Sequence, residues 1–399
     1  MQYLEHVLDT KAKLARKLIH EKGINLIGVS TYFRGDYGLS IEDVDKYCIV
    51  IHVSDYEIIR KIPTSVEDVP IVIDVVPRFH VLSIGVENDP KSIIRPVEGG
   101  VSVSSVFSTA GTITITSFGL VYSCNHVLAY DYANCRYGYE YVKKHGKVPI
   151  LQPGSYDLLM LGLVEGNCRE DPYCGAICNV SNYDQYIIGY LWKYVRVVSP
   201  LDEPQVKGLP DGYNLVDCAV GKLVVDYRNN YVMNIGEIVR LLPPSVSLIG
   251  TQVVKMGRTT GLTIGTVKSV HADIKVFMGE ENYALFTDQV LIVQNGTTPF
   301  SKPGDSGSPV IHVSERSGNA LIGILHAGGY IEGCGYIGLS CPAIYVEKLL
   351  GTPLITKKAR PSTVTEQAKP RKIPSTIWEI LPLASLIAIF GISYVLSKH

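Results

Sequence analysis

A chain of 399 residues, 46% hydrophobic and 19% charged, carries enough apolar content for packed cores and too little charge for a disordered polymer. Its formal net charge of −1 offers no excess of cations to neutralise phosphates, which argues against nucleic acid as a partner. Nine cysteines, an odd number in a chain this long, do not form the framework of a small disulfide scaffold.

At the amino terminus Leu4, Val7, Leu8, Lys11, Leu14, Ala15, Leu18 and Ile19 recur at helical spacing, and Gly23 stands where a helix would stop. Glu5, Asp9, Lys11, Lys13 and Arg16 interrupt that stretch, so it is not a secretory signal. Strand-like runs follow at residues 24–33, 47–53 and 70–76. Residues 1–95 are therefore expected to form a small α+β domain, either a structural cap or a folding aid, inhibitor or regulator. Residues 96–352 read as β-rich, with short runs of Val, Ile, Thr and Tyr punctuated by Gly and Pro.

Within that region Gly119-Leu120-Val121-Tyr122-Ser123-Cys124-Asn125-His126 reads as a strand ending in a turn that presents His126, whose imidazole titrates near working pH and suits proton transfer. Cys168, Cys174 and Cys178 invite a zinc reading, but three thiols without a fourth ligand fall short of a structural site. They are expected as buried thiols, with disulfides open, as for Cys334 and Cys341. Two aspartates open apolar runs: Asp157 before Leu158-Leu159, and Asp217 before Cys218-Ala219-Val220. Gly257-Arg258-Thr259-Thr260-Gly261 lacks the spacing of a phosphate loop and reads as a hairpin turn. Gly304-Asp305-Ser306-Gly307-Ser308 lies in a loop entering a strand. A serine there needs a base to take its proton and donors for the anion it creates, and the backbone N–H groups of Gly304 and Ser306 are placed to be those donors.

The serine loop, with His126 and an aspartate upstream in the order His, Asp, Ser, resembles the trypsin and chymotrypsin superfamily. Gly99-Gly100-Val101-Ser102-Val103, Ile150-Leu151-Gln152-Pro153-Gly154, Asp217-Cys218-Ala219-Val220 and the Gly257 turn narrow the likeness to microbial trypsin-like peptidases related to the plant narrow-leaf proteins. The resemblance implies a mainly β fold, a double β-barrel, and a serine endopeptidase with catalytic His126, Asp217 and Ser306. Asp217 is preferred to Asp157, which is left a turn role, because its distance from Ser306 leaves room for the strands of a second barrel. The likeness also implies a specificity pocket lined by Phe300, His326, Ala327 and Gly328. With no acidic residue at Phe300, small or apolar side chains are expected there rather than Lys or Arg. Neither cofactor nor metal is called for, and protein or peptide substrates are the expected partners. A catalytically silent binding or scaffold protein on the same fold is the competing reading.

The carboxyl end differs from the rest. Residues 377–396 contain Glu379 as their only charge and, at about 1.5 Å per residue, span about 30 Å, the thickness of a hydrocarbon core. They are expected to form a transmembrane helix, tethered by the basic linker 353–376. Lys357, Lys358, Arg360, Lys369, Arg371 and Lys372 precede the span, which places the catalytic part on the cytoplasmic side.

Overall fold

The computed structural model describes residues 2–30, 47–54, 56–75, 79–81, 92–132, 135–171, 174–200, 213–278, 282–295, 298–314, 317–331 and 335–355. The predicted membrane span at 377–396 and almost all of the linker before it lie outside the described residues. Among those that are described, no helix is long and apolar enough to cross a membrane.

The fold is mainly β, with the two barrels expected of a chymotrypsin-like chain. In the first, Ser102–Ser105 pairs with Gly111–Thr112 on one side and with Pro149–Leu151 on the other. Ile187–Tyr194, Ala219–Leu223, Leu120–Ser123 and Ile115–Ser117 complete the sequence of neighbours. Gly111–Thr112 and Ile115–Ser117, the two ends of this order, belong to one short segment of chain, which brings the ends of the sheet together in a barrel. Val103, Ile115, Val121, Ile150, Ile188 and Val220 fill the interior.

The second barrel closes without a break. Gln252–Gly257 pairs with Gly261–Phe277, which pairs with Tyr283–Gln294, then Gly335–Pro342, Asn319–Ile331, Pro309–His312 and back to Gln252–Gly257, all antiparallel. The Gly257 to Gly261 segment is the predicted hairpin turn. Val253, Val267, Val290, Ile292, Val310 and Ile322 point inward, and each such burial contributes about 1.5–3 kcal/mol.

The long strand Gly261–Phe277 outruns its barrel, and the amino-terminal elements use the excess. Ile24–Ser30 pairs antiparallel with it, Cys48–Val53 with Ile24–Ser30, and Val69–Val75 with Cys48–Val53, so their sheet is continuous with the second barrel. The helix Gln2–Leu18 covers this extension, burying Val7, Leu14 and Ala15 against Ile27, Ile49 and Ile51. Lys11 is drawn in with that face. Its Nζ lies 3.0 Å from Asp273 Oδ2 on the long strand, with side-chain exposures of only 7% and 5%.

The cysteines depart from the sequence reading. Cys135 pairs with Cys174, and Cys168 with Cys178 across the hairpin Glu165–Asp171 and Gly175–Ser181. Four more among the described residues, including Cys341, are free and buried; Cys334, whose pairing with Cys341 was left open above, lies outside the described residues. The first pair joins residues far apart in the chain, which spacing alone does not reveal.

Removing one member of a buried ion pair strands the other. Lys11→Ala is expected to destabilise the protein by about 3–5 kcal/mol in denaturant unfolding, with part of the loss restored when Asp273→Ala is added. A loss below about 1 kcal/mol would mean that this pair does not anchor the helix.

Candidate active site

The strand Leu120–Ser123 delivers the chain into the four-residue helix Asn125–Leu128, which carries His126. Asp217 stands two residues before the strand Ala219–Leu223, paired with that same strand. Its carboxylate takes three N–H groups from the histidine turn. Asn125 N–H at 2.7 Å and His126 N–H at 3.3 Å donate to Oδ1, and the ring Nδ1 lies 2.6 Å from Oδ2. Burial pushes the Asp217 carboxyl up, but the charge and hydrogen bond of His126 outweigh it and leave the group below its ordinary value. An ionised carboxylate only accepts, so Nδ1 carries a proton, and whenever the ring is neutral its lone pair lies at Nε2.

The serine loop reaches this corner through the kinked segment of the first barrel. Thr112 N–H donates to Ser306 O at 2.7 Å, Thr112 Oγ1 to Gly304 O at 3.1 Å, and Thr114 Oγ1 to Gly307 O at 2.7 Å. A Cβ on Gly111 would lie 2.8 Å from Ser306 O and 2.5 Å from Val127 Cγ2, so the serine backbone and the residue after His126 flank the same glycine. Gly304 and Gly307 have φ of +92° and +93°. A side chain at Gly304 would strike Thr259 Oγ1 and Arg258 Nη1, and one at Gly307 would strike Thr112 O and Ser123 Oγ. Glycine at 307 is thus needed for docking onto the first barrel. Among the described residues His126 Nε2 has no hydrogen-bond partner, so the Ser306 to His126 bond of a closed triad is not made. Ser306 and Asp217 have no exposed surface, and His126 is 2% exposed.

Asp305 organises the loop from within. Thr259 N–H (2.9 Å) and Thr260 N–H (3.1 Å) donate to its Oδ1; Thr260 Oγ1 (2.6 Å) and Lys302 N–H (3.0 Å) donate to its Oδ2. Lys255 Nζ lies 3.3 Å from Oδ2, and both side chains have 0% exposure. Lys255 also donates to Thr260 Oγ1 and Gly261 O, which occupies all three ammonium hydrogens. Beside it, Arg258 forms a two-pronged bond to Asp157, and Ser102 Oγ donates to the same carboxylate at 2.5 Å. Asp157 therefore belongs to a buried ion pair on the short helix Ser155–Met160, a correction to its turn role. Lys255 carried a readable signal: in the strand Gln252–Gly257 it shares the inward face with Val253, where a lysine needs a partner.

Of the residues expected to line a specificity pocket, Phe300 has no exposed surface and packs with Val267, Ile292 and Leu325 in the second core. Ala327 is buried as well. His326 lies behind the pair formed by His126 and Asp217, its Nε2 2.9 Å from Gln289 Oε1 and its ring 4.6 Å from that of Phe286. Burial pushes its pKa down to about 4. Among the described residues, Cys124, His126 and Asp217 bring donor atoms within 4.8 Å of one another. Burial holds the Cys124 thiol well above its ordinary pKa, and its S–H points to Leu325 O at 3.4 Å. With Asp217 already accepting three N–H groups, this set suits a carboxylate–imidazole pair better than a cation.

Residues 222–339 match the family described as the Nal1 C-terminal domain. Over those residues the chain is similar to the narrow-leaf proteins. A 93-residue stretch is 37% identical to Protein NARROW LEAF 1 of Oryza sativa subsp. japonica, covering 23% of this chain and 15% of the rice protein. The narrow-leaf match takes in the second barrel and Ser306 but stops short of His126 and Asp217. Similar solved structures include a Cellulomonas bogoriensis chymotrypsin (TM-score 0.38, 15% identity, 65% of this chain and 98% of that one) and a Nocardiopsis protease (TM-score 0.37, 16% identity, 65% and 99%).

Two outcomes are expected. Lys255→Met should cost about 3–5 kcal/mol in denaturant unfolding by stranding Asp305, and adding Asp305→Asn should recover part of it. For His326, the unfolded ring binds a proton at about pH 6.5 and the folded ring only at about pH 4. Its contribution is therefore intact above about pH 6.5 and declines as pH falls toward 4, by up to about 3 kcal/mol. Unfolding curves taken across that window should lose this slope in His326→Gln, which keeps a donor for Gln289.

Proposed function

We propose that the protein is a serine endopeptidase. The single observation carrying the proposal is the 2.6 Å bond between His126 Nδ1 and Asp217 Oδ2, in a setting where Asp217 also accepts from the backbone N–H groups of Asn125 and His126. That bond leaves Nε2 as the proton acceptor, beside the loop that carries Ser306.

In this mechanism Ser306 Oγ attacks the carbonyl carbon of a peptide bond while its proton passes to His126 Nε2. The oxyanion is bound by the N–H groups of Gly304 and Ser306. Collapse breaks the C–N bond, and the leaving amine takes the proton from His126. Water then attacks the acyl-serine, giving a proton to His126, and the ester opens as His126 returns that proton to Ser306 Oγ, which releases the acid and restores the site. Asp217 holds the ring in its tautomer and offsets the positive charge it gains. The reading extends to a membrane-held enzyme, resting on the apolar sequence at 377–396 and the basic residues before it; digestion by protease added outside intact cells should leave the catalytic part uncut.

A second reading, a catalytically silent binding protein, is favoured by the burial of Ser306 and by the missing partner at Nε2. A serine-directed phosphonate separates the two. Labelling of the wild type that disappears in Ser306→Ala supports the peptidase, and that substitution is expected to lower kcat by about 10⁶-fold. Asp217→Asn, which forces the wrong tautomer, should cost about 10⁴-fold. A folded wild type that takes up no phosphonate would point to the silent protein.

A further inference from the structure

The strand Asn319–Ile331 holds both the serine loop and a piece of the amino-terminal region. From Gly323 to Ile331 one of its sides is taken by Gly335–Pro342. Its other side is shared end to end. Val310 and Pro309 stand opposite Gly323 and Ile324, the serine loop follows at Leu325, and the short strand Phe79–Val81 follows at Ala327 and Gly328. The serine loop holds Leu325 twice: Gly307 N–H donates to Leu325 O at 2.7 Å, and Leu325 N–H donates to Ser308 O at 2.9 Å.

The register sets the direction of approach. Val81 lies opposite Ala327 and His80 opposite Gly328, antiparallel, so this segment advances toward the serine loop. An extended peptide in the same register has its next two positions along the edge at His326 and at Leu325, which the residues after Ser306 already hold. At about 3.4 Å per residue, the position opposite Ala327 is about 7 Å from that loop. Phe79–Val81 is also held from its far side, where Phe79 and His80 run parallel to Val276 and Phe277. Those two residues end the long strand on which Ile24–Ser30 docks at Leu26, Ile27 and Val29. The amino-terminal domain thus fastens to one strand and lays its next segment against the strand that the serine loop is bonded to. Main-chain pairing of this kind is how an extended peptide adds to a sheet edge, and it accepts many side chains.

We propose that Phe79–Val81 is a built-in competitor of the peptide substrate: it fills the strand edge along which a substrate's main chain would run into Ser306, and it must leave before a substrate binds. Residues 1–95 then act as an inhibitor rather than a cap. A filled edge accords with a serine that has no exposed surface. Tethered beside its edge, the segment works at an effective concentration of about millimolar, so even a weakly held strand excludes a dilute substrate. The identity of the displaced ligand rests on the peptidase reading, whereas the occupied edge can be probed without turnover.

The test uses the full chain. Successive residues of a strand turn their N–H groups to opposite sides, so His80→Pro with Val81→Pro removes one donor toward each neighbouring strand. A serine-directed phosphonate should label this variant at least about 10-fold faster than wild type. With Ser306→Ala added, it should bind a fluorescein-labelled peptide of residues 77–83 at least about 10-fold more tightly than Ser306→Ala alone, read by anisotropy. Conversely, Val81→Cys with Ala327→Cys, directly opposite in the register, should form a disulfide on mild oxidation, and both labelling and peptide binding should then fall at least about 10-fold below either single variant. Peptide binding unmoved by the prolines in a chain that still unfolds cooperatively overturns the proposal. So does a lock that does not form, or one that leaves peptide binding as in the single variants; the lock decides alone if the proline variant fails to fold. Absence of labelling throughout, with the changes in peptide binding intact, defeats the peptidase reading alone, and labelling at one rate throughout, with peptide binding unmoved, defeats this one alone.

Discussion

Burying an ammonium next to a carboxylate removes both from water, and the arrangement persists only where hydrogen bonds replace the lost hydration. Lys255 and Asp305 meet that requirement. Every ammonium hydrogen has an acceptor, and the carboxylate takes two backbone amides of the Gly257 turn, the Thr260 hydroxyl and the Lys302 amide. These bonds bind the loop that bears Ser306 to a hairpin of the second barrel. Gly257 is open for the same reason, since a Cβ there would lie 2.4 Å from both Asp305 Oδ1 and Ser308 Oγ. The counter-ion of Asp305 is Lys255, on a strand of the second barrel.

Arg258 extends that constraint across the seam between barrels. Its guanidinium reaches Asp157 in the first barrel, its backbone N–H reaches Thr112 Oγ1 at 3.0 Å, and the same hydroxyl donates to Gly304 O. His126 and Asp217 come from the first barrel and Ser306 from the second, so their relative position depends on this seam. The charged pair is specific where apolar packing alone would tolerate small slides, because a guanidinium fork fits a carboxylate in one geometry.

Three buried ion pairs therefore do different jobs: Lys11–Asp273 sets the amino-terminal helix on the extended strand, Arg258–Asp157 joins the barrels, and Lys255–Asp305 shapes the serine loop. His326, kept neutral by burial, adds a ring behind Asp217 without a competing positive charge at neutral pH.

Much was legible from residues alone, because local rules determined it. The helical spacing of Val7, Leu14 and Ala15, the β-rich pattern, the Gly257 hairpin and the turn carrying His126 depend on short-range periodicity and on turn chemistry, which neighbours in sequence settle. The glycines flanking Asp305-Ser306 were likewise visible as a loop of special backbone. Tertiary structure alone decided which distant groups meet. Nothing local distinguishes Asp157 from Asp217, since both open apolar runs; the pairing of Ala219–Leu223 with Leu120–Ser123 brings one to His126, while the Gly257 turn brings Arg258 to the other. Phe300 reads as a pocket residue until the second barrel closes around it, and Cys135 has no visible partner until the hairpin folds back to it. Long-range contacts of this kind follow from closure of sheets, which no window of sequence contains.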